Sequence, residues 1–367
     1  MSTHLVSKKT KLNNDTPQVV IEGYKGHESV PFNVTHVRFH PSVVKVENQA
    51  FYDRSKLVEV VLNDGLREIG QSAFRYCTAL QSINIPSTVI EIGNGAFYGC
   101  TLLQSINIPS TVTKISKRAF HDCTELKKVV LNEGLTEVDH RAFAACKALQ
   151  SINIPSTVTE IGSTVFMDCH SLRDVVLKEG VQRIKFCAFG RCNSLASITI
   201  PSTVIEICKE AFDYCIRLRE VVLHNEKVQI GETSFEGCTS LERFKFPSLW
   251  TRLVNIIQAG QRDIEPKLDD IPAVEWRGGE LIIPAVSREI EDDGWGMVTV
   301  VNVDKEKLNK IVALIWYYEI KEATTSFELA LWKAKIKTDI SNPPVDRGAY
   351  RVGVPGPVKD TILQYLR

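Results

Sequence analysis

The sequence has no excess of charge of either sign. Its 367 residues include 44 Lys and Arg against 44 Asp and Glu, which leaves a formal net charge of zero. A neutral chain has no bulk electrostatic attraction to a phosphate backbone or to an anionic membrane. The basic cluster of Lys8, Lys9 and Lys11 is too small to alter this balance. The charge pattern therefore predicts that nucleic acid is not a partner.

Long apolar runs are also absent. The N-terminal segment lacks the apolar stretch of a secretory signal peptide. No run of about 18 or more apolar residues is present, as a membrane-spanning helix would require. From these absences we expect a monomeric protein in the cytoplasm, without a membrane span.

Motifs for catalysis are missing as well. The sequence has no nucleophile elbow, zinc-protease helix, P-loop or dinucleotide-binding glycine pattern. The Gly-Gly-Glu at 278–280 favours a hairpin turn over a cyclic-dinucleotide synthase motif, and the acidic run at 291–293 favours a solvated loop over a catalytic carboxylate pair. We therefore expect a protein that is not an enzyme and that has no cofactor and no metal.

The sequence does contain a repeat of 23 residues without insertions. Its consensus is A-F-x-x-C-x-x-L-x-x-I-x-I-P-S-T-V-x-x-I-G, as in residues 73–93. A fixed period of this length over nine units is typical of a solenoid. The repeated phenylalanines are Phe51, Phe74, Phe97, Phe120, Phe143, Phe166, Phe189, Phe212 and Phe235.

Each unit predicts two short extended segments. Ile83 and Ile85 alternate with polar residues, so they point to one side of a strand. Val89 and Ile92 belong to a second extended segment, which enters the turn containing Ala and Phe. A single unit cannot bury these side chains, but stacked units bury them in a continuous core beneath a parallel β ladder.

The phrase I-P-S-T-V-x-x-I-G-x-x-A-F-x-x-C resembles the BspA-like class of leucine-rich repeats over about residues 36–247. The resemblance implies a repeat solenoid of the α/β leucine-rich repeat type. Such a solenoid has a parallel β ladder, with short turns or helices on its convex side. The resemblance also implies a role in protein recognition, and bacterial members of the class are often surface adhesins.

The repeat and a change in composition divide the chain. We expect a flexible segment at 1–34, a solenoid of about nine coils at 35–260, a linker with a hairpin at 261–303, and a helical module at 304–367. Residues 37–43 copy the strand phrase with polar substitutions, which predicts an N-terminal capping half-coil. All five Trp lie after residue 248, whereas all ten Cys lie before it.

The C-terminal part has several helix signals. Residues 248–257 predict an amphipathic helix that begins at Ser248 and covers the end of the core. An apolar stripe predicts a second helix at 304–322, and the capping box at 325–328 predicts a third that ends near 337. A last short helix is expected at about 357–366.

One cysteine recurs in each unit from Cys77 to Cys238. Metal sites use close pairs of cysteines, so this spacing favours a thiol that fills a tight turn in the core. Cys187 and Cys208 lie outside the column, and neither has a His or carboxylate partner at a recognisable spacing.

The candidate surface for a partner consists of the strand residues that alternate with the buried isoleucines. Their Asn and Ser side chains can hydrogen-bond a ligand, and their Val side chains add apolar contact. Alternatively, stacked Asn and Ser stabilise the ladder itself. One column comprises Arg38, Val61, Asn84, Asn107, Val130, Asn153, Val176, Thr199, Val222 and Lys245. The neighbouring column comprises His36, Glu59, Ser82, Ser105, Lys128, Ser151, Asp174, Ser197, Glu220 and Arg243.

The sequence thus predicts a scaffold or adaptor that recognises a protein or peptide through a rigid surface. Two alternatives stay open. One is an adhesin-like surface protein exported by an unconventional route, in which Asn33 would be a glycosylation site. The other is a small C-terminal enzyme tethered to a targeting solenoid.

Overall fold

The computed structural model describes residues 8–13, 16–26, 28–276, 280–292 and 296–339. The chain forms two compact units. The first comprises Met1–Arg243 with Ala285–Asn302, and the second comprises Phe244–Pro284 with Val303–Arg367.

The first unit confirms the predicted repeat solenoid. One parallel ladder, the long-strand sheet, contains one strand from each coil because the 23-residue period brings equivalent residues into register, for example Ser105 beside Lys128. Its strands are Thr16–Tyr24, His36–Phe39, Glu59–Val61, Ser82–Ile83, Ser105–Ile108, Lys128–Leu131, Ser151–Ile154 and Asp174–Leu177. Further along the chain, Ser197–Ile200 pairs in parallel with Glu220–Leu223. A short strand follows at Arg243–Lys245.

A second parallel ladder, the short-strand sheet, has two residues per coil. Each strand has an exposed or half-exposed polar residue followed by a buried Ile or Val, the pattern expected for the second extended segment. Its strands are Lys45–Val46, Glu68–Ile69, Glu91–Ile92, Lys114–Ile115, Glu137–Val138, Glu160–Ile161, Arg183–Ile184, Glu206–Ile207 and Gln229–Ile230.

The core between these ladders contains a column of stacked aromatic rings. Phe97 and Phe120 lie 5.2 Å apart between ring centroids at an interplanar angle of 4°, and Phe120 and Phe143 lie 5.3 Å apart at 4°. Such ring pairs contribute about 0.5–1.5 kcal/mol beyond the area that they bury. The stack continues to Phe235, so each coil is aligned on the next by the same side chain.

A tight turn surrounds each Ala-Phe pair; we call it the A-F turn (residues 72–77 in one coil). Its amides donate to carbonyls of the next coil, as from Phe74 to Ala96 over 2.7 Å and from Tyr76 to Tyr98 over 2.8 Å. Positions such as Ser72 and Tyr76 have positive φ angles of 53° and 62°. These left-handed residues reverse the chain within a few positions, so turns replace helices between the two ladders of the described coils.

The described residues of the segment predicted as flexible, 1–34, include two strands. Strands Lys8–Asn13 and Thr16–Tyr24 are antiparallel to each other, and the second pairs in parallel with His36–Phe39. Tyr24 is buried, and its ring centroid lies 5.1 Å from those of both Phe39 and Phe51. This strand therefore covers the first coil, and the expected half-coil at 37–43 is a regular member of the ladder.

Two further strands, Ile282–Asp292 and Gly296–Val303, occupy the region predicted as a linker. In the first unit, Phe235–Glu236 pairs antiparallel with Val300 and Val301. Glu291 and Asp292 end a strand instead of lying in a loop, and Asp293 is outside the described residues. The hairpin turn expected at Gly278 and Gly279 is also outside them, but Glu275 and Ile282 form an antiparallel bridge.

The second unit contains three described helices: α1 (Pro247–Gln258), α2 (Ile264–Asp269) and α3 (Lys305–Asp339). Leu249, Leu253 and Ile256 are buried on α1, as its apolar stripe predicts. Ser248 does not cap this helix, because Pro247 already occupies the first turn with a φ angle suited to a helix start. Arg252 of α1 forms two hydrogen bonds of 2.8 Å with Glu319 of α3.

The prediction of two helices at 304–322 and 325–337 is wrong, because α3 is continuous. No Gly or Pro interrupts residues 305–339, so the backbone hydrogen bonds continue through the capping-box sequence at 325–328. The helix expected at 357–366 lies outside the described residues. None of the described helices has both the length and the apolar run needed to cross a membrane.

Candidate functional site

The strand residues predicted to face a partner lie on the outer side of the long-strand sheet. In Ser105–Ile108, Ser151–Ile154 and Ser197–Ile200 the side chains alternate strictly between exposed and buried. Every residue of the two predicted columns is exposed or half-exposed. We call the two columns, from His36 to Arg243, the exposed face. Lys245 belongs to the second unit, where its Nζ lies 2.9 Å from Glu280.

The exposed face has charged ends. Near its start, Arg38 lies 3.3 Å from Glu22, and His36 lies 3.7 Å from Glu59. Near its other end Arg243 pairs with Glu220 at 2.8 Å. Between these ends the side chains are mostly neutral, and charges of both signs are interspersed.

The amides at the centre of the face do not form a stabilising ladder. Within the described part of the chain, the side chains of Asn84 and Asn153 have no hydrogen-bond partner, and Asn107 only accepts a bond of 3.2 Å from Asn132. Val176 is 53% exposed beside Asn153. These groups are therefore available to a ligand.

Polar side chains outside the face connect the coils. Thr88 and Thr203 of the P-S-T segments donate to Leu66 and Val181 carbonyls over 2.7 and 2.8 Å. Asn132 donates to the Ile108 carbonyl over 2.6 Å. Asn107 and Asn132 therefore have different roles. The side chain of Asn107, on a strand, points outward, whereas the side-chain amide of Asn132, in a turn, donates to the previous coil.

The cysteine column has the structural role that its spacing predicts. All ten cysteines are free. Each thiol of the column donates to the carbonyl of a Phe 26 residues earlier, as from Cys100 to Phe74 over 3.2 Å and from Cys123 to Phe97 over 3.2 Å. Burial raises the pKa of Cys77 to about 12 and that of Cys100 well above its usual range. These thiols are therefore protonated core groups with little nucleophilic character.

Glu133 and Glu179, which the sequence places in a solvated edge, have specific partners in the next coils. Glu133 accepts bonds from Ser156 over 3.0 Å and from Lys178 over 2.7 Å. Glu179 accepts from the Ser202 hydroxyl over 3.0 Å and from its amide over 3.2 Å. Both side chains are exposed, but they also link adjacent turns.

An aromatic cluster on the A-F turns is not evident from the motif. The ring centroids of Tyr52 and Tyr76 lie 5.9 Å apart, and those of Tyr76 and Tyr98 lie 5.4 Å apart. Tyr98 lies 4.8 Å from His121, and the Arg75 guanidinium lies 4.3 Å from the Tyr98 centroid. Variable positions of the repeat supply these groups, and the aromatic residues are 24, 22 and 23 residues apart, so the repeat motif does not reveal the cluster.

A group of ionisable side chains on two later A-F turns is likewise not evident from the motif. Cys187 is buried, and its Sγ donates to Glu210 Oε2 over 3.3 Å. A ligand atom from each of Cys187, Glu210 and Asp213 lies within 4.8 Å of the other two. Burial, followed by the charges of Glu236 and Glu210, raises the pKa of Asp213 to about 7. The signal was present, since 187 and 210 are equivalent positions 23 residues apart.

The second off-column cysteine lies in a different environment. Cys208 is half-buried, and its Sγ lies 3.6 Å from Glu206 Oε1. Partial burial raises the pKa of this thiol. Cys208 is therefore not part of the cluster formed by Cys187.

Several solved structures of bacterial proteins are similar to this chain. A leucine-rich repeat protein of Treponema pallidum is 28% identical, with a TM-score of 0.40; the match covers 66% of this chain and 91% of that one. A leucine-rich cell surface protein of Faecalibacterium prausnitzii is 23% identical, with a TM-score of 0.32 and coverage of 66% and 93%. A leucine-rich repeat protein of Bacteroides ovatus is 21% identical, with a TM-score of 0.31 and coverage of 66% and 93%.

A search of curated proteins gives no match. The family model described as the BspA type leucine-rich repeat region matches residues 44–173 and 159–258, in six copies. These ranges cover more than half of the chain and coincide with the stacked coils and the helix α1. The chain therefore belongs to the BspA-type leucine-rich repeat family.

Proposed function

We propose that this chain is a non-enzymatic scaffold that binds a protein or peptide along the exposed face of the long-strand sheet. The observation that carries the proposal is the pair of outward columns, whose Asn84 and Asn153 amides have no hydrogen-bond partner among the described residues. A surface of unpaired amides and hydroxyls beside exposed Val matches the mixed polar and apolar chemistry of a polypeptide.

The charge of the face supports a polypeptide over a nucleic acid. Lys128 and Asp174 contribute opposite charges near its centre, and the ends are ion-paired as described. A surface of this kind lacks the basic stripe that binds phosphates. It offers instead hydrogen-bond donors and acceptors at successive coils, about 4.8 Å apart, a spacing set by the ladder.

The rigidity of the solenoid supports recognition by a preformed surface. Adjacent coils are held by two β ladders, by the A-F turn hydrogen bonds and by the Phe stack. Groups fixed in this way lose little conformational entropy when a partner binds, so a larger share of the contact energy contributes to affinity.

The proposal is tested with the full-length chain bearing Asn107→Lys and Asn153→Lys. Two lysines in the neutral centre should impair partner recovery in affinity purification with mass spectrometry. The matched control is Thr113→Lys with Thr159→Lys, which places the same charge in the same coils next to the short-strand sheet, where both threonines are exposed. Equal recovery with both double variants would show that the exposed face is not the binding surface.

We also infer that the protein acts in the cytoplasm. The ten free thiols support a reducing compartment, because none is engaged in a disulfide. Surface biotinylation of intact cells tests this inference. Labelling of the protein, or glycosylation of the exposed Asn33, would favour the adhesin-like alternative instead.

A further inference from the structure

Three side chains of types that can ligate a metal lie close together on the A-F turns of two consecutive coils. Cys187 lies in one coil, and Glu210 and Asp213 lie in the next. The Cys187 Sγ and Glu210 Oε2 are 3.3 Å apart, and the Asp213 carboxylate completes a triangle with no side longer than 4.8 Å. The stacking register places position 187 beside position 210, and the conformation of the turn brings Asp213 to them.

The Asp213 side chain is a buried acid without a hydrogen-bond partner among the described residues. The residue is only 8% exposed. Its backbone is satisfied, since its amide donates to Glu210 over 2.9 Å and its carbonyl accepts from Arg191 over 2.6 Å. The nearby Arg191 guanidinium lies 3.9 Å from Asp168. A buried carboxylate in this situation is costly unless a cation or a proton compensates it.

The donor set indicates which cation would fit. A thiolate with two carboxylates suits a borderline ion such as Zn²⁺, whose bonds are about 2.3 Å to sulfur and about 2.0–2.2 Å to oxygen. Two such ligands at a tetrahedral angle lie about 3.6 Å apart, close to the separation of the Cys187 and Glu210 atoms. Ca²⁺ and Mg²⁺ prefer oxygen ligands alone. Glu210 is half-exposed, which leaves access for the ion and for a water as fourth ligand.

We propose that Cys187, Glu210 and Asp213 form a binding site for a divalent transition-metal ion of the zinc class, which links two adjacent coils of the solenoid. Binding would displace the thiol proton to solvent and form a metal–sulfur bond. Because all three ligands belong to the folded stack, the ion would stabilise the folded chain over the unfolded one.

Cobalt titration of the full-length chain tests the site directly. After treatment with a chelator, Co²⁺ should produce a near-ultraviolet thiolate-to-cobalt charge-transfer band that Zn²⁺ removes. Cys187→Ser should abolish this band. Cys208→Ser, the matched control, should retain it, because Cys208 is off the cluster. Asp213→Asn keeps the thiol and should weaken cobalt binding at least about tenfold.

A second measurement keeps the test valid if Cys187→Ser fails to fold. Zn²⁺ should raise the urea midpoint of the unmodified chain but not that of Asp213→Asn, whose folding is checked by circular dichroism. The proposal is overturned by the absence of a charge-transfer band in the unmodified chain, or by a band that depends on Cys208. The chain with Asn107→Lys and Asn153→Lys should bind cobalt normally. Failure of the scaffold proposal can therefore be distinguished from failure of the metal-site proposal.

Discussion

At the residue scale, the A-F turn depends on positions with a left-handed backbone conformation, and most of these positions are not occupied by glycine. Arg118, Asp122, Arg141 and Ala145 all have φ angles between 57° and 60°. Each such residue costs about 1–2 kcal/mol relative to its ordinary conformation. The turn persists because its amides bond the next coil and its Phe is buried in the stack.

Glycine is required at one of these positions for a further, steric reason. A Cβ on Gly99 would lie 2.6 Å from Tyr76 Cδ1, whereas a Cβ on Gly95 would meet nothing closer than 3.7 Å. Tyr76 cannot move away easily, because its ring contacts Tyr98 and its hydroxyl accepts a bond of 3.2 Å from Arg75.

We therefore expect Gly99→Ala to destabilise the protein more than Gly95→Ala. Both variants bear the left-handed cost of about 1 kcal/mol, and Gly99→Ala should add at least about 1 kcal/mol from the clash. Urea denaturation of the two variants measures the difference. Equal midpoints would show that the tyrosine ring adjusts freely.

At the scale of a structural element, each coil is fastened to the next by side chains of its turns as well as by the strands. Glu179 illustrates this role, since it accepts bonds from the amides of both Ser202 and Thr203. Although partial desolvation acts in the opposite direction, the hydrogen bonds from Ser202 and Thr203 lower the pKa of Glu179. Asp64 occupies the equivalent repeat position but has no such bonds among the described residues.

Replacing Glu179 by Ala should consequently destabilise the solenoid by about 1 kcal/mol, the net contribution of a few partly exposed hydrogen bonds. Asp64→Ala is the matched control and should change stability by less than about 0.5 kcal/mol. Chemical denaturation monitored by circular dichroism gives both values. A loss at Asp64 as large as that at Glu179 would contradict the proposed role of the turn bonds.

At the scale of the whole molecule, the described coils of the first unit form a one-dimensional stack. Each coil contacts mainly its two neighbours, so stability is approximately a sum of similar interfaces. Ionisable groups on the stack add a dependence on pH. Burial lowers the pKa of His121 and His140, and each Nδ1 faces a backbone carbonyl at 3.1 and 3.0 Å respectively.

These histidines should make the folded chain less stable in mild acid. Because their pKa values are lower in the folded chain than the ordinary value of about 6.5, the unfolded chain binds more protons below that pH. Their contribution is therefore lost as pH falls from about 6.5 through the folded pKa values.

The variant His121→Asn with His140→Asn keeps a donor near each carbonyl but cannot titrate. Between about pH 7.5 and pH 5, it should lose less unfolding free energy than the unmodified chain. Urea titrations at several pH values measure this difference. Groups common to both proteins, including Asp213, cancel in the comparison, and parallel pH profiles would argue against the histidine contribution.

The candidate sites differ in how far the sequence alone could predict them. The positions of Asn107 and Asn153 on the exposed face follow from alternation along a strand, which repeats in every unit and needs no knowledge of distant contacts. The group of Cys187, Glu210 and Asp213 depends on side-chain directions inside a turn. Periodicity places 187 beside 210, but only the folded turn shows that Asp213 points toward them.

The sequence by itself determined the solenoid, its 23-residue register and the residues that face outward, because these depend on a local apolar pattern repeated in nine units. The tertiary structure decided the features that depend on partners elsewhere in the chain. Strand Thr16–Tyr24 joins the ladder because Tyr24 packs on the first aromatic rings of the stack. The ionisable cluster exists because the folded turn directs Asp213 toward Cys187 and Glu210, a side-chain direction that the repeat does not encode.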